Sequence, residues 1–251
     1  MALLDISANL TDRQKVIAEY WNDGLGTETP AGHWCRIAQF VSFRNHHDLD
    51  ADVKMFFALT NAMFDASIAT WDAKRAYDSV RPITAIHFLF SGKKIRAWAG
   101  PGEGTKEIDG AEWMPYQQAG SVTPPFPEYV SGHSAFSATA AEVLKLFTGS
   151  DEFGMKATVE AGSSTIEPGM VPSRDIRLSW PTFTVAAEEA GISRRYGGIH
   201  FELADNAGRL IGREVGRQAF YKAQSFYGDN PGVGSAITTK AWHVKATNSL
   251  K

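Results

Sequence analysis

The chain is poor in cysteine, in long apolar runs and in net charge, and each shortage excludes something. Its 251 residues include one cysteine, Cys35, so no internal disulfide forms and a disulfide-stapled scaffold is ruled out, although an oxidising compartment is not. No apolar run reaches the roughly eighteen residues of a membrane span, and Met1-Ala2-Leu3-Leu4-Asp5 lacks the basic and apolar blocks of a signal peptide. A soluble chain is expected, with secretion or the periplasm open if a leader was removed from a longer protein. The 25 Lys and Arg against 28 Asp and Glu leave a net charge of -3 with no basic stripe, so nucleic acid is not an expected partner. What remains is 43% hydrophobic and 21% charged, an ordinary globular composition.

Periodicity and punctuation read as mainly helical. Thr11 is placed to cap a helix over 12–23 that Gly24 ends, and a second helix is expected over 33–44. The longest begins near Asp50, with Val53, Phe56, Phe57, Thr60, Met63, Phe64, Ser67 and Ile68 as an inward stripe. It is expected to run past Trp71 and Lys74 until Pro82 interrupts it. Residues 91–129, rich in Gly, Pro and polar residues, read as a long surface loop of the kind that is usually functional. Helices resume over 131–148, 182–193 and 201–226, with a Gly/Ser/Pro-rich connection at 162–180 and an extended or loose tail after Asp229. No internal repeat, alternating strand pattern or domain linker stands out, so the expectation is one helical-bundle domain over 1–251, all-α with long connecting loops.

Three short segments carry chemistry. Lys74 and Arg81 are seven residues apart, nearly two helical turns, so on one helix they leave the same face and reach one point. In Pro124-Pro125-Phe126-Pro127-Glu128-Tyr129-Val130-Ser131-Gly132-His133, prolines stiffen the approach and Ser131 can cap a helix. Gly132 there lets a ligand approach the amides of the helix N-terminus. His133 falls in the first turn, suited to acid–base work. Ser193-Arg194, the Gly197-Gly198 turn and His200 put a further arginine and histidine at a helix junction. Each segment alone has a bland reading: a solvated basic pair, a cap, a packed histidine. Together, three positive charges, two imidazoles, a hydroxyl and a glycine amide suit a small tetrahedral oxyanion. Gly208, Gly212 and Gly216 repeat every four residues and read as a close helix-packing strip.

With these residues in order and spacing, the chain resembles the superfamily uniting vanadium-dependent haloperoxidases, type 2 phosphatidic acid phosphatases and bacterial acid phosphatases, over roughly 11–221. Trp71, the Pro-Pro-Phe-Pro-x-Tyr approach and Tyr20-Trp21-Asn22-Asp23-Gly24 are similar to the chloroperoxidase branch. The resemblance implies a vanadate cofactor with His200 as its axial ligand; in a phosphatase His200 would be the nucleophile and phosphate would occupy the same site. It further implies that Lys74, Arg81 and Arg194 neutralise the oxyanion, that Ser131 and the Gly132 amide donate to it, and that His133 moves protons. Lys74 would polarise bound hydrogen peroxide, which a halide attacks to release hypohalous acid toward an organic acceptor. Trp71 and Phe126 would line the halide side, and Asp23 would brace Arg194.

Two positions depart from the family pattern. Val130 stands where Pro precedes Ser-Gly-His, and Ala204 where an aspartate often follows the axial histidine, with Asp205 one residue on. The orienter of His200 is thus left to Glu202 or a backbone carbonyl. Chloroperoxidase-type members carry two helical bundles with the site in the second, and this chain holds little more than the second, as a short member, as a fragment, or with an oligomeric partner in place of the first. Apolar helix faces should then be left over, which a homo-oligomer would cover. The expected function is halide oxidation by a haloperoxidase; the alternatives are a phosphomonoester hydrolase working through phospho-His200, and an inactive anion-binding module.

Overall fold

A computed structural model of the protein describes residues 2–24 and 26–227. Eight helices dominate these residues: α1 (Ala2–Ala8), α2 (Asp12–Tyr20), α3 (Thr29–Asn45), α4 (Leu49–Tyr77), α5 (Pro82–Phe90), α6 (Gly132–Thr148), α7 (Phe183–Tyr196) and α8 (Glu202–Gln224). Two antiparallel hairpins accompany them: β1 (Lys94–Trp98) with β2 (Thr105–Asp109), and β3 (Glu152–Val159) with β4 (Ile176–Thr182). The protein is thus mainly helical, as its periodicity indicates. None of the described helices is long and apolar enough to cross a membrane. The tail expected to be loose after Asp229 lies outside the described residues.

Each helix that carries a motif is stopped or started by its own sequence. Thr11 and Gln14 form a reciprocal capping box at the start of α2. Asp48 opens α4 by accepting from the Ala51 amide at 2.9 Å. Asp78, left-handed at φ 41°, closes it. Lys74 and Arg81 are therefore not on one helix, contrary to their seven-residue spacing. The chain leaves α4 after Tyr77, and Arg81 is the N-cap of α5 with Pro82 at its first position. The stretch 91–129 is likewise not all loop, because β1, β2 and a short 3-10 turn at Gly110–Glu112 occupy its first half.

The main core gathers Trp21 from the end of α2 and Trp34, Met55, Leu59, Leu144 and Phe183 from four helices, with Phe153, Leu178 and Trp180 of the β3–β4 hairpin closing one side. α4 meets this core with a narrow face of Met55, Ala58, Leu59, Ala62, Met63 and Ala66. The large residues Val53, Phe57, Phe64 and Ile68 point outward and are 60%, 41%, 65% and 55% exposed. The apolar stripe therefore faces solvent for most of its length, because the small-residue face is the one that lets α6 and α8 approach closely.

α6 and α8 form the closest helix pair. Gly208, Gly212 and Gly216 lie against the α6 backbone, where an added Cβ would fall 2.6 Å from the Ser131 carbonyl oxygen, 2.3 Å from that of Ala135 and 2.7 Å from that of Thr139. Thr139 Oγ1 donates to the Gly212 carbonyl at 2.9 Å. Near the N-terminus of α8, the Ser131 amide donates to the Ala204 carbonyl at 3.1 Å, and buried Asp205 accepts from Ser134 Oγ at 2.8 Å. The start of α6 is thereby pinned to the start of α8. Gly212→Ala is expected to lower unfolding stability in urea by about 1–3 kcal/mol through overpacking. Gly120→Ala, with nothing within 4 Å of its added Cβ, should change it by less than about 0.5 kcal/mol.

Candidate functional site

Five chain segments converge where the starts of α6 and α8 are pinned. The end of α4 brings Lys74, the α4–α5 turn brings Arg81, the 124–130 approach brings Phe126 and Glu128, and the start of α6 brings Ser131, Gly132 and His133. The α7 end and the turn after it bring Arg194 and His200. Lys74, Arg81, Ser131, Arg194 and His200 are all buried, Arg194 completely. The sequence motifs thus meet in one place although Lys74 and Arg81 reach it from different elements.

His200 is held at both ring nitrogens. Nδ1 lies 2.8 Å from Glu128 Oε1, a carboxylate oxygen that also accepts from the Phe201 amide at 2.9 Å. Nε2 lies 3.1 Å from Arg81 Nη1. A carboxylate accepts and a guanidinium donates, so the proton sits on Nδ1 and the Nε2 lone pair faces the arginine. Burial, together with the charges of Arg81 and Lys74, pushes the imidazole well below its ordinary pKa, and it is neutral. Its orienter is therefore Glu128 and not Glu202 or a backbone carbonyl. Glu202 pairs with Arg195 at 3.4 Å, and Asp205 takes Arg209 and Ser134. Glu128 is the single carboxylate in the proline-rich approach and lies 72 positions before His200, a separation that gives no sign of their contact in space.

The cations are bound mainly by carbonyls. Lys74 Nζ donates to Pro127 O at 2.8 Å and to Glu128 O at 3.1 Å. Arg81 donates to Phe126 O and Ile199 O, each at 2.9 Å, while its Nη2 is buried with no partner. The Phe126 ring lies under both, 5.2 Å from Lys74 Nζ and 5.0 Å from the Arg81 guanidinium. Trp71, 49% exposed, packs on the same ring with centroids 4.8 Å apart. Burial and the neighbouring Arg81 push Lys74 down to about 7, and burial takes Arg81 and Arg194 down to about 10.

Arg194 is braced by Asn22 and not by a direct bond to Asp23. Its Nη1 donates to Asn22 Oδ1 at 2.8 Å, Nε to Ser193 Oγ at 2.9 Å and Nη2 to the Ala18 carbonyl. Asp23 instead takes His33 Nδ1 at 2.9 Å and supports the Arg194 charge through its field. Asn22 also accepts from His133 Nε2 at 3.0 Å through its carbonyl, which makes Nδ1 the basic nitrogen of that ring. Burial, then Arg194, lowers His133 to about 3. One asparagine thereby ties the α2 end to both an arginine and a histidine of the site, a role that its place in Tyr20-Trp21-Asn22-Asp23-Gly24 did not reveal.

The donor set fits an oxyanion such as vanadate. Arg81 Nη2 is an orphaned buried donor. The Gly132 amide, first in α6, has no acceptor within its helix. On the Cβ side of Gly132, nothing comes nearer than Thr70 Cγ2 at 3.9 Å. Three cations beside one buried carboxylate, Glu128, leave positive charge that a bound anion would neutralise.

The family described as the VCPO second helical-bundle domain matches residues 54–229. The structure is similar to that of a bacterial vanadium-dependent chloroperoxidase in its holo form, with a TM-score of 0.80 at 30% identity over 89% of this chain and 46% of that one. Its apo form gives 0.81 at 29% identity over 89% and 47%. A bacterial vanadium-dependent iodoperoxidase gives 0.65 at 29% over 88% and 47%. The chain spans about half the length of these structures. No curated protein matches it in sequence.

Two outcomes are expected. Sulfate, whose charge is constant near neutrality, should bind more weakly as pH rises through about 7, because Lys74 is then losing its proton. Lys74→Gln should flatten that dependence in calorimetric titration. Glu128→Ala should weaken vanadate binding about 10- to 100-fold, because His200 loses the partner that fixes its ring and its tautomer, with Glu128→Gln recovering part of the loss.

Proposed function

The chain belongs to the vanadium haloperoxidase superfamily, in the family of the chloroperoxidase second helical bundle, and from that premise we propose that it is a vanadate-dependent haloperoxidase. In this reading residues 1–251 act as one helical-bundle domain that oxidises halide with hydrogen peroxide and delivers hypohalous acid to an organic acceptor. The observation that carries it is the buried surplus of positive charge around a neutral His200 whose Nε2 lone pair is available. A site of this kind is unfavourable without a multiply charged anion and well matched to one.

His200 would hold the group through Nε2, with Glu128 keeping the proton on Nδ1. Lys74, Arg81 and Arg194 would neutralise its oxygens, and Ser131 and the Gly132 amide would donate to them. When bound, vanadate supplies a Lewis-acidic centre that activates hydrogen peroxide toward halide. Arg81 would give up Nε2 to donate to the anion, whose negative charge would hold the proton on Lys74. His133, neutral at working pH, accepts a proton at Nδ1 and returns it. The Trp71 and Phe126 rings form an apolar wall on the halide side.

A second reading rests on the same lone pair. A neutral imidazole in a cage of cations also suits phosphomonoester hydrolysis through phospho-His200, since a vanadate-binding cage is complementary to the five-coordinate state of phosphoryl transfer. Adding orthovanadate to the metal-free protein should raise peroxide-dependent bromide or iodide oxidation, read with a halogen-accepting dye, and His200→Ala should abolish the gain. Phosphate release from an aryl phosphate without any vanadate-dependent oxidation would move the assignment to the hydrolase.

A further inference from the structure

Among the described residues, the apolar stripe of α4 stays largely exposed. At about 100° per residue, Val53, Phe57, Phe64, Ile68 and Trp71 fall within about 60° of one another, and all are at least 41% exposed. Among the described residues Phe57 meets Phe226 and Tyr227 at 6.2 and 5.9 Å between ring centroids, and one side of Trp71 packs on Phe126. Five large apolar side chains in one row on a helix are more than scattered surface exposure.

The charges beside the stripe say what covers it. Asp50 and Arg75 lie in the row itself, one near each end, and Lys54, Asp65 and Asp72 lie along one edge, while Leu49, Phe56, Thr60 and Ser67 on the other edge are uncharged. In a parallel helix pair unlike edges meet, and the charges would face the uncharged edge. In an antiparallel pair like edges meet. A two-fold axis beside Ala62 and Met63 then sets Asp50 against Arg75 of the partner subunit and Lys54 against Asp72 of the partner subunit. Both pairs are of opposite sign. The same axis lays Phe57 near Ile68 of the partner subunit and Val53 near Trp71 of the partner subunit. Lys54 also pairs with Asp50 in its own chain at 2.7 Å, so the charges form a network at each end of the stripe.

We propose that this face of α4 is the interface of an antiparallel, two-fold homodimer. It does not depend on the chemistry assigned to the site. Its consequence for the site is that the outer side of Trp71 becomes covered, which closes the aromatic wall behind Phe126 and so shields Lys74 and Arg81 from solvent.

Light scattering of the full chain at micromolar concentration should give a dimer. Phe64→Asp, at a side chain 65% exposed, should give a monomer with unchanged circular dichroism. Arg75→Glu should weaken the dimer at least tenfold at low salt, and Asp50→Lys with Arg75→Glu should restore it. The proposal is overturned by a monomeric wild type, by a dimer that survives Phe64→Asp, or by charge variants that all dimerise equally. It is also overturned by a chain that dimerises only after residues 228–251 are removed, since the face would then belong to that segment.

Discussion

Burial of Lys74, Arg81 and Arg194 around one imidazole is the constraint on which the rest of the molecule turns. Removing three cations from water is costly unless each is hydrogen-bonded and the total charge is balanced. The first condition is met by carbonyls of Phe126, Pro127, Glu128, Ile199 and Ala18 and by Asn22. The second is met only in part, by Glu128 and the field of Asp23. The displacement of Lys74 from 10.5 to about 7 corresponds to roughly 5 kcal/mol of disfavoured charge. An oxyanion in the cage reverses that displacement, so binding energy and charge balance come from the same event.

Holding the cage open for such a ligand is the work of the helix framework. The glycine strip of α8 lets the α6 backbone come close, and the Ser131–Ala204 and Ser134–Asp205 bonds lock the two helix starts together. His200 lies just before one of these starts and Gly132 just after the other, so their separation is set by backbone packing and not by flexible side chains. Asn22 and Glu128 then fix the ring orientations of His133 and His200. Positions far from the chemistry, such as Gly212, thus bear on it through the helix pair they allow.

The order and spacing of Lys74, Arg81, Ser131, Gly132, His133, Arg194 and His200 made the site legible, because each type has a distinct job toward an oxyanion. Ser131 and Thr182 cap α6 and α7 with their side chains, whereas α8 starts at Phe201 without a side-chain cap. What sequence reading missed depends on tertiary context. Asp78 ends α4 with a left-handed turn that helix periodicity does not report. The stripe of large residues on α4 looked like a core face, but periodicity identifies a face without saying what covers it; here Ala58, Ala62 and Ala66 won the interior because only small residues admit α6 and α8. Glu128 and Asn22 reach their histidines across long sequence separations, and Asp23 lost Arg194 to its neighbour while finding His33.

The central claim is that these seven residues form an oxyanion cage closed around the Nε2 nitrogen of His200. A crystal structure of the protein grown with orthovanadate tests it most directly. The account predicts anion density against His200 Nε2, within hydrogen-bond reach of Lys74, Arg81, Arg194 and the Gly132 amide, with Arg81 Nη1 moved off the ring nitrogen. Density elsewhere, or His200 still bonded to Arg81 beside an empty cage at saturating orthovanadate, would contradict it.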